Sequence, residues 1–243
     1  MRTGELRTQP AGETASSEEF YSARGAAAIM RAAHFPDEVL FFLQMESLVT
    51  LGAAARYGCD ALVEFGCYDG RALEVARAAG VGYLGVDVNG RAIAALRRRI
   101  NDEALEGKAE TLIGNVLKPE TWSHQLSGPH PLYLLPFNLI GNFPEPEQVL
   151  HSVRSVGGTA VISVFNEAPW TTEVRREYYA ACGIEMLEQD EGSHGGVLFR
   201  GADGFRSQSF STDGMSALLR ACGARVLEET ANRYGRCLTV RFP

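Results

Sequence analysis

The chain has 243 residues, 45% hydrophobic and 22% charged, which suits one α/β domain with added elements and a real core. Its formal net charge is -7, and no basic cluster stands out beyond Arg97-Arg98-Arg99, which argues against a nucleic-acid partner whose phosphates would need neutralising. The five cysteines (Cys59, Cys67, Cys182, Cys222 and Cys237) are odd in number and form no CxxC pair, so neither a disulfide framework nor a zinc knuckle is expected.

Residues 1–17 are polar and read as a flexible leader, without the charged start and apolar run of a signal peptide. Two helices are expected next. The first covers 17–33 and is Ala-rich. The second covers 37–57 and opens with Asp37 and Glu38 after Pro36, which suits a helix N-terminus. The apolar run 39–51 is interrupted by Gln44 and Glu46 and is too short to span a bilayer, so no membrane partner is expected and the chain reads as cytoplasmic. From residue 58 the pattern alternates. Strands are predicted at 61–66, 83–87, 110–113, 132–135 and 159–165, with helices at 71–79 and 91–106. Such alternation implies right-handed crossovers and a parallel, doubly wound sheet. Further on, 196–200 and 205–210 flank the turn-like Gly201-Ala202-Asp203-Gly204 as a hairpin would. Ser211-Thr212-Asp213 caps a helix ending near Gly223, and two last strands fall at 225–231 and 236–242. The expected fold is α/β, a doubly wound, mostly parallel seven-stranded sheet with a β-hairpin insertion and an N-terminal helical pair.

The segment that carries the chemistry is Glu64-Phe65-Gly66-Cys67-Tyr68-Asp69-Gly70. A strand delivers an acid, then a tight glycine turn, then a helix, at the strand end where doubly wound sheets bind ligands. Asp87 ends the second strand about 20 residues on, placed to accept from two ribose hydroxyls. A dinucleotide fingerprint needs glycine where Tyr68 and Arg71 stand, and no Walker A sequence is present. S-adenosylmethionine (SAM) has no phosphates to cradle, and its ammonium and sulfonium favour carboxylates and carbonyls.

Together these residues resemble the class I SAM-dependent methyltransferases of the small-molecule type. That family's first motif, an acid followed by G-x-G-x-G, is matched by Glu64, Gly66 and Gly70, with Tyr68 in place of the middle glycine; its second-strand acid is matched by Asp87. The resemblance covers about residues 55–243, and it implies that the helices over 18–57 form a lid on a SAM-binding domain spanning 58–243. It further implies that Tyr68 covers the methionine end of SAM and that Asn115, beside Val116, contacts the adenine amine. The loop Pro136 to Pro144 then lines the methyl-transfer site through Asn138 and Asn142, and Tyr21 and Arg24, three apart on one helical face, close over SAM. Trp170 and Tyr178 are candidates for the substrate pocket. Tyr21, Glu46 and His34 are the candidate bases.

Structural alternatives stand beside these roles. Asn115, Asn138 and Asn142 would serve equally as turn or cap residues, Tyr21 and Arg24 as helix-surface residues, and Glu46 as the partner of an arginine across the lid. His34 fits a solvated cap, and Trp170 and Tyr178 fit a core. The implied activity is in-line methyl transfer from SAM to a small, partly apolar acceptor, aromatic or indole-like, in specialised metabolism. No metal-ligand cluster is expected, and the chain reads as a monomer or homodimer. The rival readings are a methyltransferase fold that binds SAM without transferring its methyl, and a regulatory binding subunit.

Overall fold

The computed structural model describes residues 17–185 and 187–243; of the expected leader over 1–17, residues 1–16 lie outside the described residues and Ser17 belongs to the first helix. The chain enters through α1 (Ser17–Phe20) and α2 (Ala26–Ile29), which flank a π-helical turn, Tyr21–Gly25, and are followed by a 3-10 turn, Ala32–His34. The single helix expected over 17–33 is thus broken. Widening of a helix by one residue per turn is frequent where its wall borders a site.

Helix α3 (Asp37–Arg56) begins after Pro36, whose extended backbone (φ -67°, ψ 157°) ends the preceding segment. In length and composition it could cross a membrane, yet it lies on the sheet, with Val39, Phe42, Leu43, Ala53 and Ala54 in the core. The alternation then follows: β1 (Ala61–Phe65), α4 (Leu73–Ala79), β2 (Gly82–Asp87), α5 (Gly90–Asp102), β3 (Ala109–Ile113), β4 (Pro131–Leu135), α6 (Pro146–Val156), β5 (Gly158–Phe165) and α7 (Pro169–Ala181). After it come β6 (Glu188–Glu191), β7 (Val197–Arg200), β8 (Arg206–Gln208), α8 (Thr212–Ala221), β9 (Arg225–Ala231) and β10 (Gly235–Phe242).

The main sheet has seven strands in the order β3-β2-β1-β4-β5-β10-β9, with β1 to β5 parallel and β10 antiparallel to both its neighbours. The expected insertion is a three-stranded antiparallel sheet, β6-β7-β8, rather than a two-stranded hairpin. Every residue of β1 is buried, as in a central parallel strand covered on both faces. Its side chains alternate between two layers. Leu62 packs with residues of α3, α4 and α5, whereas Val63 packs with residues of α6 and α8. Full burial of one such aliphatic side chain contributes about 2 kcal/mol. The strand order reverses between β1 and β4, so the crevice where a doubly wound sheet binds its ligand opens at their carboxyl ends.

Candidate functional site

A cavity of about 370 Å³, within the size range of small-molecule sites, lies at that crevice. It has two parts. The carboxyl ends of β1, β2 and β3 supply Glu64, Gly66, Asp87, Asn115 and Val116. The opposite wall is an apolar chamber of Ile29, Met30, Phe137, Phe165, Tyr179 and Phe205, contributed by the N-terminal segment, the loop after β4, and the small sheet with its neighbours.

The turn after β1 is held in the left-handed region at three positions: Gly66 (φ 64°), Tyr68 (φ 46°) and Gly70 (φ 77°). Glycine is required at 70 for space as well, since a Cβ there would sit 2.4 Å from the side chain of the fully buried Leu96. Gly66 lines the cavity; Tyr68 and Gly70 do not appear on its wall. Gly70 acts by letting the turn pack on α5. Tyr68 acts through its backbone N–H, which donates to Asp87 Oδ2 at 2.9 Å.

Asp87 is 6% exposed and accepts a second bond, at 2.8 Å, from the Asn89 N–H to Oδ1. Burial raises its pKa while the N–H groups of Asn89, Tyr68 and Val88 oppose the rise. Each oxygen keeps a lone pair for a ligand donor. Asn89 caps α5 through Oδ1 and donates Nδ2 to the Tyr21 carbonyl, which joins the N-terminal segment to the domain.

Glu64 is 1% exposed and accepts from the Tyr83 hydroxyl at 2.6 Å and from the Ala72 N–H at 3.2 Å. Burial pushes its carboxyl up to about 7, against the pull of the Arg71 guanidinium and these two donors. Arg71 also faces the cavity, and its Nε is buried without a hydrogen-bond partner. Asn115 Oδ1 accepts from the Leu117 N–H in a turn of its own, and Nδ2 reaches Glu18 at 3.4 Å. Asn115 keeps one lone pair on Oδ1 and one hydrogen on Nδ2 for a ligand.

The loop after β4 is fixed from behind. Glu46, 1% exposed on α3, accepts from Arg71 Nη2, Ser163 Oγ and the Phe137 N–H, the last at 2.6 Å. It faces away from the cavity, and its oxygens are occupied, so the expected base is a cross-link between α3, β5 and two ligand loops. Phe137 (φ 43°) and Asn138 (φ 63°) stand in the left-handed region, held there by these bonds. Asn138 likewise turns inward: Nδ2 donates to Ser207 Oγ (3.0 Å) and the Gln208 carbonyl (2.9 Å), and Oδ1 accepts from the Phe165 N–H (3.1 Å). No polar atom of that side chain is left to bind SAM as a donor. Asn142 does line the cavity, and its carbonyl accepts from Ser17 Oγ at 2.9 Å.

Tyr21 lines the cavity and donates its hydroxyl to the Arg206 carbonyl at 3.1 Å. Burial, reinforced by Tyr179 and Asp203, holds its pKa well above the ordinary value, which favours the neutral phenol. The Arg24 side chain lies outside the described residues. His34 is not on the cavity wall, and its buried Nδ1 has no partner. Neither expected pocket aromatic reaches the cavity. Trp170 is 48% exposed, bonds through Nε1 to the Arg233 carbonyl and stacks under the Arg233 guanidinium. Tyr178 is buried, with its hydroxyl on the Ile29 carbonyl. Sequence reasoning missed Arg71, Tyr179 and Ser207. Arg71 stood next to the glycine motif, and Tyr179 stands beside the chosen Tyr178 on α7.

No family model matches the sequence, and no curated protein matches it. Solved structures do. The magnesium protoporphyrin IX methyltransferase of Synechocystis PCC 6803, solved with bound S-adenosylhomocysteine (SAH), aligns with a TM-score of 0.59 at 12% identity, over 93% of this chain and 98% of that one. The 1,6-didemethyltoxoflavin-N1-methyltransferase of Burkholderia thailandensis, solved with its substrate and SAH, aligns with a TM-score of 0.56 at 14% identity, over 83% and 78%. The 4+2 cyclase SpnF aligns with a TM-score of 0.52 at 14% identity, over 81% and 80%. At these identities the likeness is one of architecture. The chain has the fold of the SAM-dependent methyltransferases, and that fold also serves a cyclase.

Proposed function

We propose that this chain is a SAM-dependent methyltransferase acting on a small, partly apolar molecule. The observation that carries the reading is the joining, in one cavity, of Glu64, the Gly66 turn, Asp87 and Asn115 with the apolar wall of Ile29, Met30, Phe137, Phe165 and Phe205. The donor set fits SAM. Asp87 has lone pairs for the ribose hydroxyls, Glu64 is a carboxylate for the ammonium, and the unpartnered Nε of Arg71 is a donor for the carboxylate. Asn115 Nδ2 would donate to an adenine ring nitrogen, with Val116 packing on the ring. When bound, SAM supplies a methyl carbon on a sulfonium, open to in-line displacement.

The residues of the chain then align and desolvate rather than transfer protons. Phe137, Phe165 and Phe205 exclude water from the acceptor, and the N-terminal segment closes the cavity through Tyr21 and Ser17. The three expected bases are a neutral phenol, an occupied carboxylate and a histidine off the wall. This favours an acceptor that arrives unprotonated or is an electron-rich ring, consistent with an aromatic or indole-like specialised metabolite and a cytoplasmic enzyme. Two methyltransferase neighbours are named for 1,6-didemethyltoxoflavin and magnesium protoporphyrin IX, both small molecules, which supports the same class.

Calorimetric titration with SAM and SAH, in wild type and Asp87→Ala, tests the cofactor site. Micromolar binding that weakens by two orders of magnitude in the variant is expected. If neither ligand binds wild type, the proposal fails. If both bind but no extract fraction accepts a labelled methyl, the non-transferring reading takes its place.

A further inference from the structure

Arg175 on α7 is fully buried, and among the described residues no carboxylate forms an ion pair with it. Neutral groups hold the guanidinium. Nη1 donates to the Val197 carbonyl at 3.1 Å, and Nη2 to the Ser207 carbonyl at 2.8 Å and to Ser207 Oγ at 3.4 Å. Nε donates to the Tyr179 hydroxyl at 3.4 Å, and the group lies over the rings of Phe199, Phe165 and Tyr179 at 4.9, 5.5 and 5.8 Å. A buried cation is costly without a counter-charge, and this one lies directly behind three residues of the chamber wall: Phe165, Tyr179 and Ser207.

The hydrogens of this cluster can be assigned by counting. Asn138 Oδ1 must face the Phe165 N–H, which can only donate, so Asn138 Nδ2 is the donor to Ser207 Oγ at 3.0 Å. Ser207 Oγ then accepts from Asn138 and from Arg175, which fills both its lone pairs. Its own hydrogen goes to the Tyr179 oxygen, 2.7 Å away. That oxygen accepts from Ser207 and from Arg175 Nε, so the Tyr179 hydrogen has no acceptor within the cluster. Tyr179 is on the cavity wall. Its O–H is the one hydrogen of the cluster left for a group outside it, at the end of a chain of donors that polarise one another and are backed by a cation.

We propose that Tyr179 is the receptor for an anionic oxygen of the substrate, a carboxylate, phenolate or enolate carried on an apolar ring, with Arg175 and Ser207 as its positioning residues. The inference rests on reading the chamber as the acceptor site. An oxyanion would take the free Tyr179 hydrogen as a charge-assisted bond and supply the counter-charge that Arg175 lacks. A neutral ring of the same shape would leave the cation uncompensated.

The test uses simple probes with the full chain saturated by SAH. Benzoate and 2-naphthoate are titrated against benzamide and 2-naphthamide, in wild type, Tyr179→Phe and Ser207→Ala. In wild type at least one acid is expected to bind about tenfold tighter than its amide. Tyr179→Phe keeps the ring against Phe205 and Phe199 and should erase that preference while SAH affinity stays unchanged; Ser207→Ala should reduce it. If no acid outbinds its amide in wild type, or if the preference survives in Tyr179→Phe, the proposal is overturned. Failure of SAH to bind wild type would instead sink the methyltransferase reading, so the two failures are distinct.

Discussion

The backbone N–H of Tyr68 donates to Asp87 Oδ2 at 2.9 Å, so the residue that interrupts the glycine pattern also orients the carboxylate beside it. Tyr68 makes that bond with φ at 46°, where a side chain costs of order 1 kcal/mol and glycine costs nothing. The donor belongs to the backbone and survives substitution. Tyr68→Gly is therefore expected to raise stability by about 0.5 kcal/mol after the added freedom of its unfolded chain is counted, a rise in Tm of about 1–2 °C. SAH affinity should stay within about twofold by calorimetry. A marked loss of affinity would mean that the ring itself touches the ligand.

Glu46 predicts a different signature. Its carboxylate bonds Arg71, Ser163 and the Phe137 N–H at once; removal strips the Arg71 guanidinium of its counter-charge, while the Phe137 N–H keeps Ser163 Oγ (3.0 Å) and Ser163 Oγ keeps the Leu135 carbonyl (3.5 Å). Breaking a buried pair costs about 3–5 kcal/mol, and the partial exposure of Arg71 brings the expectation for Glu46→Ala to about 2–4 kcal/mol in urea unfolding. Glu46→Gln keeps an acceptor and should recover part of that loss. Were Glu46 a proton acceptor in the reaction, Glu46→Gln would instead abolish turnover with stability intact.

These two residues also mark what the sequence could disclose. Strands β1, β2, β4 and β5 were legible because burial on both faces turns them into apolar runs, and the cofactor half was legible because Glu64, Gly66, Gly70 and Asp87 lie on one short β-α-β stretch. Glu46 carried a signal, a lone acid in an apolar helix, that is shared by bases and buried cross-links. Strand β6 was invisible: all four of its residues are exposed, and it is held by backbone pairing to β7 instead of by burial. The far wall was equally hidden, because Phe137, Phe165, Tyr179 and Phe205 meet only through the tertiary fold. Arg175 and Arg176 are adjacent in sequence, yet one is completely buried and the other exposed. The four-residue spacing of Arg175 and Tyr179 was the single local clue.

Tyr21 ties the N-terminal segment to the small sheet through one hydrogen bond to the Arg206 carbonyl. Tyr21→Phe removes that bond, keeps the ring against Phe20, and should weaken SAH binding by about fivefold, the worth of one neutral hydrogen bond. Because burial keeps the phenol protonated, the pH dependence of turnover between about 7 and 9 should be the same in wild type and variant. A lost limb in that profile would identify Tyr21 as the titrating base after all.

Glu64 gives the pH dependence. Its folded carboxyl titrates at about 7 against 4.5 for the ordinary group, because burial disfavours the charge. Below pH 4.5 it is protonated in both states and costs nothing. Between 4.5 and 7 the unfolded chain ionises first, so stability falls as pH rises, and above 7 the loss levels off at about 3 kcal/mol. Glu64→Gln should lack this fall, which urea unfolding at pH 4.5 and 8 would reveal. A bound ammonium reverses the preference by favouring the carboxylate. Binding of SAM near pH 6 should therefore release close to one proton in wild type and none from this site in Glu64→Gln, measured by calorimetry in two buffers of different ionisation enthalpy. Affinity should tighten from pH 5.5 to 8 by about tenfold or more. Equal affinity across that range would place the ammonium elsewhere in the cavity and leave Glu64 as a buried acid bonded only to Tyr83 and Ala72.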